Sequence, residues 1–179
     1  MGKKPSLKLN GVLNLSKIPA ETQVSGHRKI HKITKNNEQN MLTQITKQLY
    51  ISNFHTASCK DRLVEADIGV ILNLSCKRGE NLYPDLFQYR DFFIEDRTDR
   101  NIIKEFKAIA AIINDHIKEG KTVLLHCRKG ISRAPAFAIA YLILFEGHFY
   151  EEAFNFVRKK HKKSDPNFGF LIQLEKLSL

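Results

Sequence analysis

The side chains most able to do chemistry lie in one stretch, Val123-Leu124-Leu125-His126-Cys127-Arg128-Lys129-Gly130-Ile131-Ser132-Arg133. An apolar run enters it and another leaves it, which reads as a buried strand, a glycine-containing turn and a buried helix. A cysteine at such a junction meets unpaired backbone N–H groups and the positive end of a helix. Both favour the thiolate, the nucleophilic form of the side chain. The same N–H groups suit a tetrahedral oxyanion such as phosphate. Arg133, six positions after Cys127, falls on the first helical turn, where a guanidinium fork can grip two oxygens of one anion. Gly130 permits a backbone approach that a β-carbon would block. The expectation is a nucleophile at Cys127 and an anion cradle made by Arg128, Lys129, Gly130, Ile131, Ser132 and Arg133.

The elements that must position this loop are legible as hydrophobic pattern. Leu49–Ile51, Val70–Leu74, Tyr89–Ile94 and Thr122–Leu125 read as strands. Ile102, Phe106, Ile109, Ile113 and Ile117 recur at helical spacing, predicting an amphipathic helix over 101–118, with Gly120 placed as its C-terminal stop. Ala134 to Phe145 is apolar all round, which marks a helix in the core, and two more helices are predicted at Tyr150–Lys160 and Phe168–Leu177. Alternating strands and helices give an α/β fold, a central sheet covered on both faces.

Composition narrows the class. The chain has 179 residues, 42% hydrophobic and 27% charged, which is ordinary globular usage. The apolar run Ala134–Phe145 is twelve residues, too short to cross a bilayer, and no secretory pattern opens the chain. Cys59, Cys76 and Cys127 form no even framework and show no metal-ligand spacing, so no metal and no cofactor is expected. Cys59 reads as a packed helix residue. Eight of the 29 basic residues but only two of the 19 acids lie in the first forty positions. That segment lacks aromatic residues and periodicity, so 1–40 reads as a basic N-terminal arm and 41–179 as the catalytic domain. The net charge of +10 favours anionic ligands, and an anionic membrane surface is one expected partner of the arm. Nucleic acid is not expected as a partner. The expected location is the cytoplasm, with the nucleus as the alternative.

In full context, His126-Cys127-x-x-Gly130-x-Ser132-Arg133 resembles the active-site loop of the protein tyrosine phosphatase superfamily, and within it the dual-specificity phosphatases. The resemblance covers about residues 45–178. Val70–Leu74 with Asn73 is similar to the family strand before its variable loop, and Asp165-Pro166-Asn167-Phe168-Gly169-Phe170 with Gln173-Leu174 to its C-terminal helix entry. It implies a central, mostly parallel sheet flanked by helices, no metal, and hydrolysis of phosphotyrosine and phosphoserine or phosphothreonine through a cysteinyl-phosphate. Phe93-Ile94-Glu95-Asp96 matches the position of the family's general acid, which implies that role for Asp96, 31 residues before Cys127. Asp99 competes for it and otherwise reads as a helix cap, while Glu95 alternates to the other face of its strand. The resemblance also implies that His126 supports the site by hydrogen-bonding nearby backbone.

Two positions depart from the family pattern. Ala134 stands where most dual-specificity enzymes carry Ser or Thr, a hydroxyl that would ease departure of the sulfur; Ala134-Pro135 instead resembles regenerating-liver and some plant glucan phosphatases. Arg128-Lys129 places two bases where many relatives have fewer, a feature shared with lipid phosphatases, so a phosphoinositide or other polyanion is the second expected substrate. A weakly active phosphoprotein-binding module is the rival from another class. Relatives carry a cysteine that bonds the catalytic one at the end of the Val70 strand; here Ser75 matches it and Cys76 falls on the other face. In the arm, Met1-Gly2 fits a loose myristoylation pattern, and Lys3-Lys4 followed by Leu7-Lys8-Leu9 fits the shape of mitogen-activated protein kinase docking peptides.

Overall fold

The computed structural model describes residues 42–75 and 81–178. The chain enters through a two-residue strand β1 (Thr43–Gln44), then β2 (Leu49–Asn53), two short helices α1 (Phe54–Ala57) and α2 (Lys60–Glu65), and β3 (Ile68–Asn73). Strand β4 (Gln88–Asp91), helix α3 (Ile103–Lys118) and strand β5 (Thr122–Cys127) follow, and three helices close the chain: α4 (Arg133–Phe145), α5 (Tyr150–Lys160) and α6 (Phe168–Leu177). The five strands run in the order β1-β2-β5-β3-β4. All neighbours are parallel except β1 against β2. This is the mostly parallel α/β sheet expected from the sequence. Because β5 returns between β2 and β3, its carboxyl end sits in the middle of the sheet, where open α/β sheets place their ligands.

Period-two alternation sorts β5 between two cores. Val123, Leu125 and Cys127 face the larger one, built with Val70 and Leu72 of β3, Phe106, Ile109 and Ile113 of α3, Ala134 and Ala136 to Ile143 of α4, and Phe170 and Leu174 of α6. Leu124 faces the smaller one, with Ile71, Ala57, Leu63 and Phe87. Helix α4 is buried from Ala134 to Ile143 because it lies between the sheet and the other helices, which is what its all-apolar sequence requires. Phe106 anchors the helical layer, its ring 4.8 Å from Phe137 and 6.0 Å edge-on to Phe170.

Three expectations are corrected. The strand expected at Tyr89–Ile94 stops at Asp91, after which Phe93 makes an isolated bridge to Ser75. Here the Asn73 side chain takes over, accepting hydrogen bonds from the Ser75 N–H and hydroxyl and ending β3, while Ile94 turns into the core. Asp99 caps nothing: it is gripped by Arg97 at 3.0 and 2.7 Å on the exposed surface. The first N–H groups beside α3 are instead met by Asn101 and by Gln173, which reaches across from α6 to accept from Ile102 N–H at 2.7 Å. Cys59 is the half-buried residue preceding α2, not a residue inside a helix. The arm, with its myristoylation and docking motifs, and Cys76 lie outside the described residues.

Candidate active site

Cys127 ends β5 beside Asn53, its register partner on β2, and its side chain is buried. The loop then turns back on itself through Gly130, at φ +71°, and enters α4 at Arg133. This glycine is obligatory on two grounds. A side chain would be strained at that φ, and a Cβ would stand 2.9 Å from Asn53 N and 3.0 Å from Ser52 C and O. The tight turn brings the Gly130 N–H to 3.3 Å from Cys127 Sγ, a direct donor to the sulfur.

Asp96, Cys127, Arg128, Lys129, Ile131, Ser132 and Arg133 line a single cavity of about 280 Å³. Every expected cradle residue is there except Gly130, which is buried behind the loop and shapes it. Asp96 arrives from 31 residues upstream, as expected, and Asp99 does not reach the site. The Asp96 carboxylate is held on one side only. Its Oδ1 accepts from the Ser132 hydroxyl at 2.6 Å and from Asn167 Nδ2 at 2.8 Å, while Oδ2 lies 3.7 Å from Arg133 Nε. Arg133 spends Nη1 on the Ile94 carbonyl at 3.0 Å, which fixes the fork, and its buried Nε, 3.7 Å from Asp96 Oδ2, has no hydrogen-bond partner among the described residues. A guanidinium that shares a cavity with a thiol is a place for an anion.

His126 departs from the expectation. Its ring is buried on the opposite face of β5, 6.2 Å from Phe54, and its Nδ1 has no hydrogen-bond partner among the described residues. Burial drives its pKa down to about 4, so the ring is a neutral packing element.

Several residues of the site escape the sequence reading. Asn167 holds Asp96, donates its backbone N–H to Ser132 Oγ, and caps α6 by accepting from Phe170 N–H. Gly169 lets this segment press on the chain after Asp96: a Cβ there would stand 1.9 Å from the Thr98 carbonyl oxygen. His161 reaches Gly130 O at 2.9 Å and Thr43 Oγ1 at 2.8 Å. In the sequence the run Asp165–Phe170 reads only as a helix entry, and its Pro-Asn before an apolar helix is the available signal.

A thiol, an arginine and a carboxylate meet on one small cavity, and residues 49–178 match the model of the dual specificity phosphatase catalytic domain. The chain belongs to that family. Among its relatives in Dictyostelium discoideum, it is 34% identical over 127 residues to a rhodanese domain-containing dual specificity protein phosphatase, covering 71% of this chain and 26% of the relative. It is also 34% identical over 132 residues to MAP kinase phosphatase with leucine-rich repeats protein 2, covering 74% and 19%. The chain therefore spans about a quarter or less of the length of these curated relatives. Among solved structures, a mouse dual specificity phosphatase complexed with zinc tungstate superposes with a TM-score of 0.72 at 25% identity, covering 78% of this chain and 87% of that one. In this dual specificity phosphatase domain, Cys127 ends a central strand, Arg133 starts a core helix, and Asp96, in the loop after β4, is held by Ser132 at the entry of α4 and by Asn167 at the entry of α6.

Proposed function

We propose that this chain hydrolyses phosphomonoesters of phosphotyrosine and phosphoserine or phosphothreonine in proteins through a cysteinyl-phosphate. The observation that carries this reading is the convergence of Cys127, Arg133 and Asp96 on one cavity. Cys127 sulfur attacks phosphorus; the S–P bond forms as the ester P–O bond breaks, and a proton on Asp96 passes to the departing oxygen. Oδ2 is the oxygen for that proton, because Oδ1 is already occupied by Ser132 and Asn167. Arg133, which lines the cavity, and the loop amides take the equatorial oxygens through both steps. Water then attacks phosphorus, Asp96 accepts its proton, and the S–P bond breaks to free Cys127 and inorganic phosphate.

Mitogen-activated protein kinases are the phosphoprotein substrates we favour, supported by the likeness to the Dictyostelium MAP kinase phosphatase. A second reading rests on Arg128 and Lys129, both exposed and both lining the cavity mouth. Two cations beside the phosphate site favour a substrate with further negative groups, such as a phosphoinositide. Comparing kcat/KM over a phosphopeptide panel and a phosphoinositide panel separates the two. A preference for peptides supports the first reading, and a large preference for lipid overturns it.

A further inference from the structure

We infer that His161 is a positioning residue for catalysis, setting the orientation of the Ile131 amide that faces the phosphate. This rests on the phosphatase reading of the same cavity. His161 follows the last turn of α5 and is buried, 31 residues from Gly130 and 118 from Thr43. A carbonyl oxygen only accepts, so the 2.9 Å contact to Gly130 O requires the proton on Nε2. A neutral ring then has an acceptor at Nδ1, and the Thr43 hydroxyl, 2.8 Å away, donates to it. The Gly130 carbonyl in this way fixes the tautomer, and the Thr43 hydroxyl completes it by donating to the nitrogen left as acceptor.

The consequence follows from peptide planarity. In a trans peptide the carbonyl of one residue and the N–H of the next point in opposite directions. Holding Gly130 O on the His161 side therefore turns the Ile131 N–H the other way, toward the side of the loop that lines the cavity. Among the described residues that N–H has no hydrogen-bond partner, so it is open to an oxyanion. The neighbouring carbonyls are held likewise. Asp165 N–H donates to Ile131 O at 2.8 Å, and Phe54 N–H donates to Arg128 O at 3.3 Å. Those two contacts come from backbone and tolerate substitution; the Gly130 contact depends on the side chain of one residue. His161 is thus the point at which the cradle's geometry is set by a removable group.

The test compares His161→Leu with His161→Gln in the full chain. The Gln amide N–H can take the place of Nε2 and reach Gly130 O, whereas Leu cannot. Competitive inhibition by inorganic phosphate, kcat/KM on an aryl phosphate and thermal stability are measured together. Loss of one hydrogen bond in the cradle should weaken phosphate inhibition about five- to tenfold in the Leu variant and lower kcat/KM in step. The Gln variant should stay within about threefold of the parent. If His161→Leu does not fold, His161→Asn replaces it, since its shorter amide keeps the Thr43 contact and loses Gly130. Phosphate inhibition unchanged in the Leu or Asn variant, or a Gln variant as weak as Leu, would overturn the inference. A parent protein that neither hydrolyses aryl phosphate nor is inhibited by phosphate would instead overturn the phosphatase reading.

Discussion

The Ser132 hydroxyl stands 2.6 Å from Asp96 Oδ1 and donates to it. The hydroxyl nearest in sequence to the sulfur is therefore committed to the acid. With alanine at 134, the donor the structure gives to Cys127 Sγ is the Gly130 N–H. Departure of the sulfur from the cysteinyl-phosphate should be the slow step. A missing hydrogen bond to a charged group corresponds to about 1.5–3 kcal/mol, roughly a ten- to hundredfold slowing. Rapid mixing should show a burst of phenol release, and Ala134→Ser should raise kcat and shrink the burst while changing kcat/KM less. A burst-free progress curve with an inert Ala134→Ser substitution would show that the Gly130 amide suffices.

Asn167 binds Asp96 through Nδ2 and caps α6 through Oδ1, so the two roles can be separated. Asn167→Asp keeps an acceptor for the cap and replaces the donor facing Asp96 with a like charge. Activity should fall about tenfold on esters with poor leaving groups and little on activated aryl phosphates, which need no proton. The measurement is the dependence of kcat/KM on leaving-group pKa. A slope equal to the parent's would remove Asn167 from the positioning of the acid.

Gly169→Ala forces the α6 entry away from Thr98, because its Cβ would overlap a backbone carbonyl oxygen rather than a yielding side chain. The expected cost is about 1–3 kcal/mol of stability, with lower activity as the chain beside Asp96 is displaced. Thermal unfolding and turnover, measured on the same preparation, check it. Parent-like values for both would mean that the two segments separate freely.

Burial holds His126 well below its usual pKa of 6.5, at about 4, and lowers His161 in the same direction. The folded protein refuses protons that the unfolded chain accepts, so stability is complete above about pH 6.5 and is lost as pH falls toward 4. His126 alone corresponds to about 3 kcal/mol over that window. Urea midpoints measured between pH 7 and 4.5 should fall, and His126→Asn should flatten the fall. The same slope in the variant would mean that other groups carry the acid sensitivity.

Legibility in the sequence followed length and contiguity. Helices α5 and α6 match the expected spans, and α4 and β5 fall close to theirs, because each carries an apolar period or an apolar run long enough to be recognised. Strand β1, with two residues, is held by the pairing of Thr43 with Ile51, and α1, with four, by the Asn53 cap. No local pattern announces elements that short. The site divides the same way. Cys127 through Arg133 form one loop whose chemistry can be read in line. Asn167, 71 residues from Asp96, and Thr43, 118 from His161, acquire their meaning only when folding brings them together. The backbone hydrogen bond expected of the His126 ring is not among those of the described residues, because residue type alone does not say that its buried Nδ1 finds no partner.

The account stands on Cys127 carrying the phosphoryl group, and acid quench of the reaction with a phosphotyrosine peptide measures that directly. Mass spectrometry of the quenched protein should find phosphate on Cys127 in the parent and none in Cys127→Ser, which should be inactive. Full hydrolysis by Cys127→Ser, or phosphate trapped on any other residue, would contradict it.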